Sequence, residues 1–434
     1  TTASLPALDF GYSEATIDET VRFVDGLHDI PNGLDTSRWQ WVDLDGEGLS
    51  GLLTERAGGW YYKRNEGSGG LGTTQRLGSR PNVSLGAPGT RLVDLGGDGK
   101  LDVVVMRPDL AGYHERTTDG GWESFRHFKT QPTESVDDPN TRLVDLDGDG
   151  IADMLITEGN VFRWYPSKAK EGYDRSRRTF QPRDEKKGPH VVFSGSGESI
   201  QLADMTGDGL SDIVRIRNGN VCYWPNKGYG HFGARVQMKS APRFDSRDRF
   251  DPARVHLADI DGTGTTDLVY IGPKGVQLCF NQSGNGFSAI QTLSRFPAVS
   301  NAESVQVADL RGDGTACLVW ASPLMKDAWQ PLRYVHLMSE GKPYLLTSIT
   351  NNRGRETRLT YAPSTQFYLA DRQAGTPWAT RLAFPVQCLQ KVEQLDHITG
   401  WRFTSVYAYH HGYFDGPERE FRGFGLVDQW DTES

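Results

Sequence analysis

Six short stretches of the chain carry acids at a spacing suited to holding a divalent cation. The fullest contains Asp145, Asp147, Asp149 and Asp153, at positions 1, 3, 5 and 9 of a single loop. Carboxylates at those positions, with the position 7 carbonyl of Ile151, can surround one Ca2+ with hard oxygen ligands. Gly150 at position 6 permits the sharp bend such a loop requires. The other copies have lost ligands. Gly51 replaces the last acid of the first copy, Gly96 the second acid of the next, and Thr206 and Thr263 one acid each in the fourth and fifth. The sixth carries Arg311 and Cys317 where acids would stand, and Arg311 would place a cation in the metal position.

The same residues have a purely conformational use. An Asp opening a Gly-rich loop bonds through its side chain to backbone N–H groups two and more residues on, and so shapes a turn. With five of the six loops incomplete, Ca2+ is an option at the third copy, Asp145 to Asp153, and no cofactor is required by the repeat as a whole. Catalytic signals are weak. His410 and His411 are adjacent, which on a strand points them to opposite faces, and no His-Glu-x-x-His spacing accompanies them. A glycosidase needs only two carboxylates at a suitable separation. Here nearly every notable Asp sits in the repeated loop, which argues for structure. The chain reads as a non-enzyme.

The elements that would carry these loops follow from the repeat. The leading acids are Asp43, Asp94, Asp145, Asp204, Asp259 and Asp309, at intervals of 51, 51, 59, 55 and 50 residues. Each loop is flanked by an apolar strand end and a β-branched run such as Val103-Val104-Val105. A second motif, an aromatic strand followed by a Gly-rich turn, recurs at Val161, Val221 and Val276, with a weaker copy at Trp60. That period and that hairpin suit a four-stranded propeller blade of roughly 40 to 50 residues. The sequence therefore predicts an all-β chain containing a six-bladed β-propeller, its channel lined by the runs after each loop, such as Met154 to Ile156 and Leu268 to Tyr270. The best helical candidate is short, Ser13 to Val24.

Composition narrows the partners. Net charge is -9 with 24% charged residues interspersed, a surface that repels phosphate backbones and argues against nucleic acid. No stretch approaches the roughly 20 apolar residues of a spanning helix, and Thr1 to Pro6 show no signal peptide. Cys222, Cys279, Cys317 and Cys388 lie scattered in apolar segments and read as buried free thiols.

The Asp-rich loops and their hairpins resemble the FG-GAP/VCBS repeats of integrin-like propellers. KPYLLTSITNNRGRETRLTYAPSTQFYLADRQAGTPWATRLAFPVQCL from Lys342 and YAYHHGYFDGPEREFRGFGLVDQWDTE from Tyr407 resemble the B component of Tc toxin complexes, a TcdB/SpvB-like family with Rhs-type repeats. SLPALDFGYS from Ser4 and VDLDGEGLSGLLTERAGGWYYKRN from Val42 match it as well, so the resemblance spans essentially the whole chain. It implies a lead-in segment over 1–38, the propeller over 39–338, and the first antiparallel strands of a Rhs-like β-shell over 339–434. It also implies the partners: a pore-forming A component, the C component and the rest of the B component, and an unfolded toxic cargo gated through the channel. The setting it implies is a secreted bacterial complex. The alternative is a Ca2+-dependent adhesion or carbohydrate-binding propeller.

Overall fold

The computed structural model describes residues 6–27, 39–195, 198–246, 248–273, 275–297, 299, 304–416 and 418–433. The lead-in predicted for 1–38 therefore lies partly outside the described residues. The regular structure among the described residues is almost entirely β-strand, in six four-stranded sheets and one six-stranded sheet. Every strand pair is antiparallel, as in the first sheet, where Trp39–Val42, Gly51–Arg56, Gly59–Lys63 and Gln75–Arg76 lie side by side in chain order. The next four sheets repeat that order from Thr90, Thr141, Ser199 and Val255. The sixth takes Ser304–Ala308, Cys317–Ala321 and Leu332–His336 from one end of the chain and Val21–Phe23 from the other.

Each acidic loop joins the first strand of a sheet to the second, and the second strand explains why the apolar runs are continuous. It is buried on both faces, and alternate residues serve different neighbours. Val103 packs in a cluster with Leu53 and Trp60 of the first sheet, whereas Val104 packs with Met154 and Tyr165 of the third. Met154 and Leu155 divide in the same way, as do Ile213 and Val214, and Leu268 and Val269. A final cluster joins Cys317, Val319 and Leu332 of the sixth sheet to Trp39 and Leu52 of the first.

This burial corrects the expected channel lining. Met154, Leu155, Leu268, Val269 and Tyr270 are 0% exposed and sit second in their sheets, so they cannot face a passage. The edge strands that precede the loops, such as Thr141–Val144, carry the more open residues.

Two further expectations change. Ser13 to Val24 is not helical: its only regular element is the strand Val21–Phe23. The α-helix of the described residues is Ser364–Gln373, in the C-terminal region. The ALDFGYS run falls in the predicted lead-in, apart from the C-terminal strands. Asp9–Tyr12 instead pairs with Leu346–Thr350 in the six-stranded sheet, which continues through Arg355–Pro363, Gln387–Asp396, Arg402–Asp415 and Glu420–Glu433. That last strand stands at the sheet edge with Leu426, Val427 and Trp430 half exposed. All four cysteines are buried and free. No helix among the described residues is long and apolar enough to cross a membrane.

The ninth loop position does a specific structural job. Asp102, Asp153, Asp212 and Asp267 each accept a hydrogen bond from the backbone N–H fourteen residues on, those of Arg116, Ser167, Asn226 and Asn281. Asp212 also accepts from Met205 N at 3.1 Å and is 0% exposed. Asp212→Ala would leave two buried N–H groups unpartnered. It should lower unfolding free energy by about 2–4 kcal/mol in urea denaturation, against a few tenths at an exposed acid such as Asp109→Ala.

Candidate functional site: the aspartate loops and the seam over them

Within each loop the first Asp gathers the backbone. Asp204 Oδ1 accepts from Thr206, Gly207 and Asp208 N, and its Oδ2 from Gly209 N at 2.7 Å. Asp43, Asp94, Asp145, Asp259 and Asp309 make the matching bond to the glycine at position 6. That glycine has positive φ in every loop, 85° at Gly150 and 84° at Gly209, a conformation strained for any side chain.

The residues predicted to hold Ca2+ are brought together in part. Carboxylate oxygens of Asp145, Asp147 and Asp149 lie within 4.8 Å of one another. Asp147 Oδ1 has no hydrogen-bond partner, and burial, with the neighbouring Asp149 charge, raises its pKa. Asp149 Oδ1 accepts from Ile151 N, so the Asp149 side chain is drawn onto that residue's amide. Asp153 stands outside this group: it is 1% exposed, and its oxygens accept from Leu146 N at 3.2 Å and Ser167 N at 2.7 Å. Three carboxylates fit a cation, and the protein supplies one. Arg419 Nη1 donates to Asp145 Oδ2 and to Gly148 O, both at 2.9 Å.

A second acidic group, Asp259, Asp261 and Asp267, is one the loop-by-loop reading discounted because Thr263 breaks the pattern. Here the ninth-position acid does join the first and third. Burial pushes Asp267 up to about 8, with the Asp261 and Asp259 charges adding to it.

Basic side chains meet the acids of other loops as well. Asp45 of the first accepts from Arg116 at 3.0 Å and from Arg64 at 2.9 Å, while Glu47 pairs with Arg64 at 2.5 Å and with Arg372 at 3.6 Å. In the sixth loop His336 Nε2 lies 3.0 Å from Asp313 Oδ2 and from Thr315 Oγ1. Burial pushes the Asp313 carboxyl up, but hydrogen bonding and charge from His336 and Thr315 carry it below its ordinary value.

Many of these partners come from the C-terminal region, which lies over the loops as a seam. Arg381 Nη1 donates to Asp45 O at 2.5 Å, Tyr368 Oη to Glu47 at 2.5 Å, and Gln387 Nε2 to Asp313 O at 2.6 Å. Thr365 Oγ1 donates to Gly312 O. The tip of the hairpin between Arg402–Asp415 and Glu420–Glu433 reaches the second loop, where a Cβ on Gly416 would fall 1.4 Å from Gly97 O. A 440 Å³ cavity opens between the first loop and the helix, lined by Asp45, Glu47, Arg64, Tyr368, Arg372 and Arg381. Its Asp45 and Glu47 are each paired with arginine. His410 Nδ1 lies 2.6 Å from Asp371 Oδ2, which also accepts from Trp378 Nε1, tying the hairpin to the helix, while the buried His410 Nε2 has no hydrogen-bond partner.

Comparison with known proteins follows this geometry. Residues 281–434 match the family described as insecticide toxin TcdB middle/N-terminal region, and residues 204–270 match the FG-GAP-like repeat. The chain is similar to the Photorhabdus luminescens Tc holotoxin pore at 30% identity and TM-score 0.85, over 99% of this chain and 20% of that one. It is similar to the TcdB2-TccC3 crystal structure at 30% identity and TM-score 0.70, over 100% of this chain and 21% of that one. It thus spans about a fifth of the length of the structures it matches. No curated protein matches it significantly.

The loop carboxyls give stability a defined pH dependence. Burial raises Asp43, Asp102, Asp212 and Asp309 to about 6, Asp153 to about 7 and Asp267 to about 8. Unfolded, an Asp titrates near ~3.9. The folded chain therefore holds more protons between these values, and this contribution to stability is lost as pH rises from about 4 through about 8. Metal-free thermal unfolding should show a higher Tm at pH 5.5 than at pH 8.5, and Asp267→Asn should narrow the difference.

Proposed function

Because the chain belongs to the TcdB-like proteins of Tc toxins, we propose that it is a non-catalytic module of a secreted toxin complex. In this reading its six four-stranded sheets form a closed propeller that docks a B–C assembly onto a pore-forming A component and gates the passage of unfolded cargo. The observation that carries the reading is the seam. The C-terminal sheet, helix and hairpin contact the loop end of the sheets, and among the described residues none of these contacts falls at the opposite end, where a partner can approach. Ring closure is supported by the packing of the sixth sheet on the first through Cys317, Leu332, Trp39 and Leu52. We place the lead-in at 1–38, the propeller at 39–338 and the start of a Rhs-like shell at 339–434. Mixing the chain with a Tc A-type pore component should give a stable complex by size-exclusion chromatography. No complex at any salt or pH would sink the docking reading.

A second reading, a Ca2+-dependent adhesion or carbohydrate-binding propeller, is favoured by the two three-carboxylate groups. The docking module accommodates Ca2+ only as an option at Asp145, Asp147 and Asp149, with Ile151 and Asp153 contributing to the loop's shape. Metal analysis of the purified chain with and without Asp149→Ala decides the third loop. Docking should survive chelator, whereas adhesion should not.

A further inference from the structure

The second and third strands of five sheets are joined by two residues each, whereas in the sixth sheet Ala321 and Leu332 are separated by the ten residues 322–331. This insertion lies at the opposite ends of its strands from the acidic loop 309–316, and so away from the seam. It presents Trp329 at 95% exposure and Met325 at 79%. Neither side chain contributes to a core.

The loop is nevertheless built firmly. Ser322 N donates to Pro331 O and closes its base at 2.9 Å. Ser322 Oγ donates to Asp327 Oδ2 at 2.7 Å, and Arg333 pairs with Asp327 Oδ1 at 3.2 Å. Ser322 is 1% exposed and Asp327 9%. Arg333 is itself stacked on Trp320 and Phe23. A turn at Met325–Asp327 and the bond from Gln330 N to Asp327 O fix the remaining backbone. A large aromatic held in water by a preorganised loop loses little conformational entropy on binding, and such residues dominate protein interfaces.

We infer that residues 322–331 are the anchor of the docking surface, with Trp329 and Met325 entering an apolar recess on the partner protein. This rests on the docking reading above and names its contact. Because Asp327 is neutralised within the loop, the exposed charge at the tip is Lys326, which calls for a carboxylate at the rim of that recess. A lipid surface is the poorer fit, since a chain of net charge -9 is repelled by anionic headgroups.

The test measures affinity of the full chain for a Tc A-type pore component by biolayer interferometry. Trp329→Ala should weaken binding about tenfold or more with Tm unchanged, and Trp329→Phe should recover part of the loss. Lys326→Glu should weaken binding most at low salt. Tyr229→Ala, a 58%-exposed aromatic whose backbone bonds Leu146 beside the third loop, should bind as the unsubstituted chain does. Trp329→Ala binding at full affinity, or an equal loss with Tyr229→Ala, would overturn the anchor while docking stands. So would loss of self-association alone in sedimentation, which would make a second copy the occupant. If the unsubstituted chain does not bind, the docking reading fails and takes the anchor with it.

Discussion

Each of the six sheets turns its first strand into its second around a single aspartate whose oxygens collect backbone N–H groups. That side chain gives the turn fixed acceptors, half-buried in the first, second and sixth loops and exposed in the third, fourth and fifth, so its loss costs about 1–3 kcal/mol per group only where the donors are shielded from water. The glycines set the bend and the ninth-position acids reach across to the start of the next crossing, so loop, second strand and third strand become one unit. The apolar second strand can be buried on both faces only because the polar backbone entering it is satisfied in this way.

The same concentration of acids carries an electrostatic cost. Buried carboxyls are pushed toward neutrality, and in several loops the chain brings a cation to them. Arg64 and Arg116 meet Asp45, Arg372 meets Glu47, and Arg419 meets Asp145 from 274 residues away. Two of these cations, Arg372 and Arg419, come from the C-terminal region, so the charges of the loops also fasten the seam.

The repeat was legible because strand, turn and period are local signals. Six loop aspartates placed six sheets, and β-branched runs marked the strands that were buried most. What escaped depends on long-range pairing. Nothing within Ser13 to Val24 says that Val21–Phe23 joins a sheet more than 300 residues on, and its periodicity mimics a helix. The edge position of the strands before the loops, and the burial of those after, follows from packing between sheets and not from either sequence. At the candidate site, spacing found the three carboxylates that converge but placed Asp153 with them, because an acid that ties down backbone looks the same in sequence as one that binds metal. Arg419 had no signal at all.

The N-terminal strands also set a timetable. Val21 pairs with Val335, and Asp9 with Thr350, so neither short strand has its native partner until more than 300 further residues have been made. At roughly 5–20 residues per second of synthesis, those strands wait on the order of 15 to 60 s while five sheets form behind them. The entropy of closing so long a loop grows only logarithmically with its length, so the delay is a matter of kinetics more than of final stability. During that interval the first sheet packs on the second but lacks the neighbour it later finds in the sixth, and a nascent chain is most exposed to capture by another copy of itself.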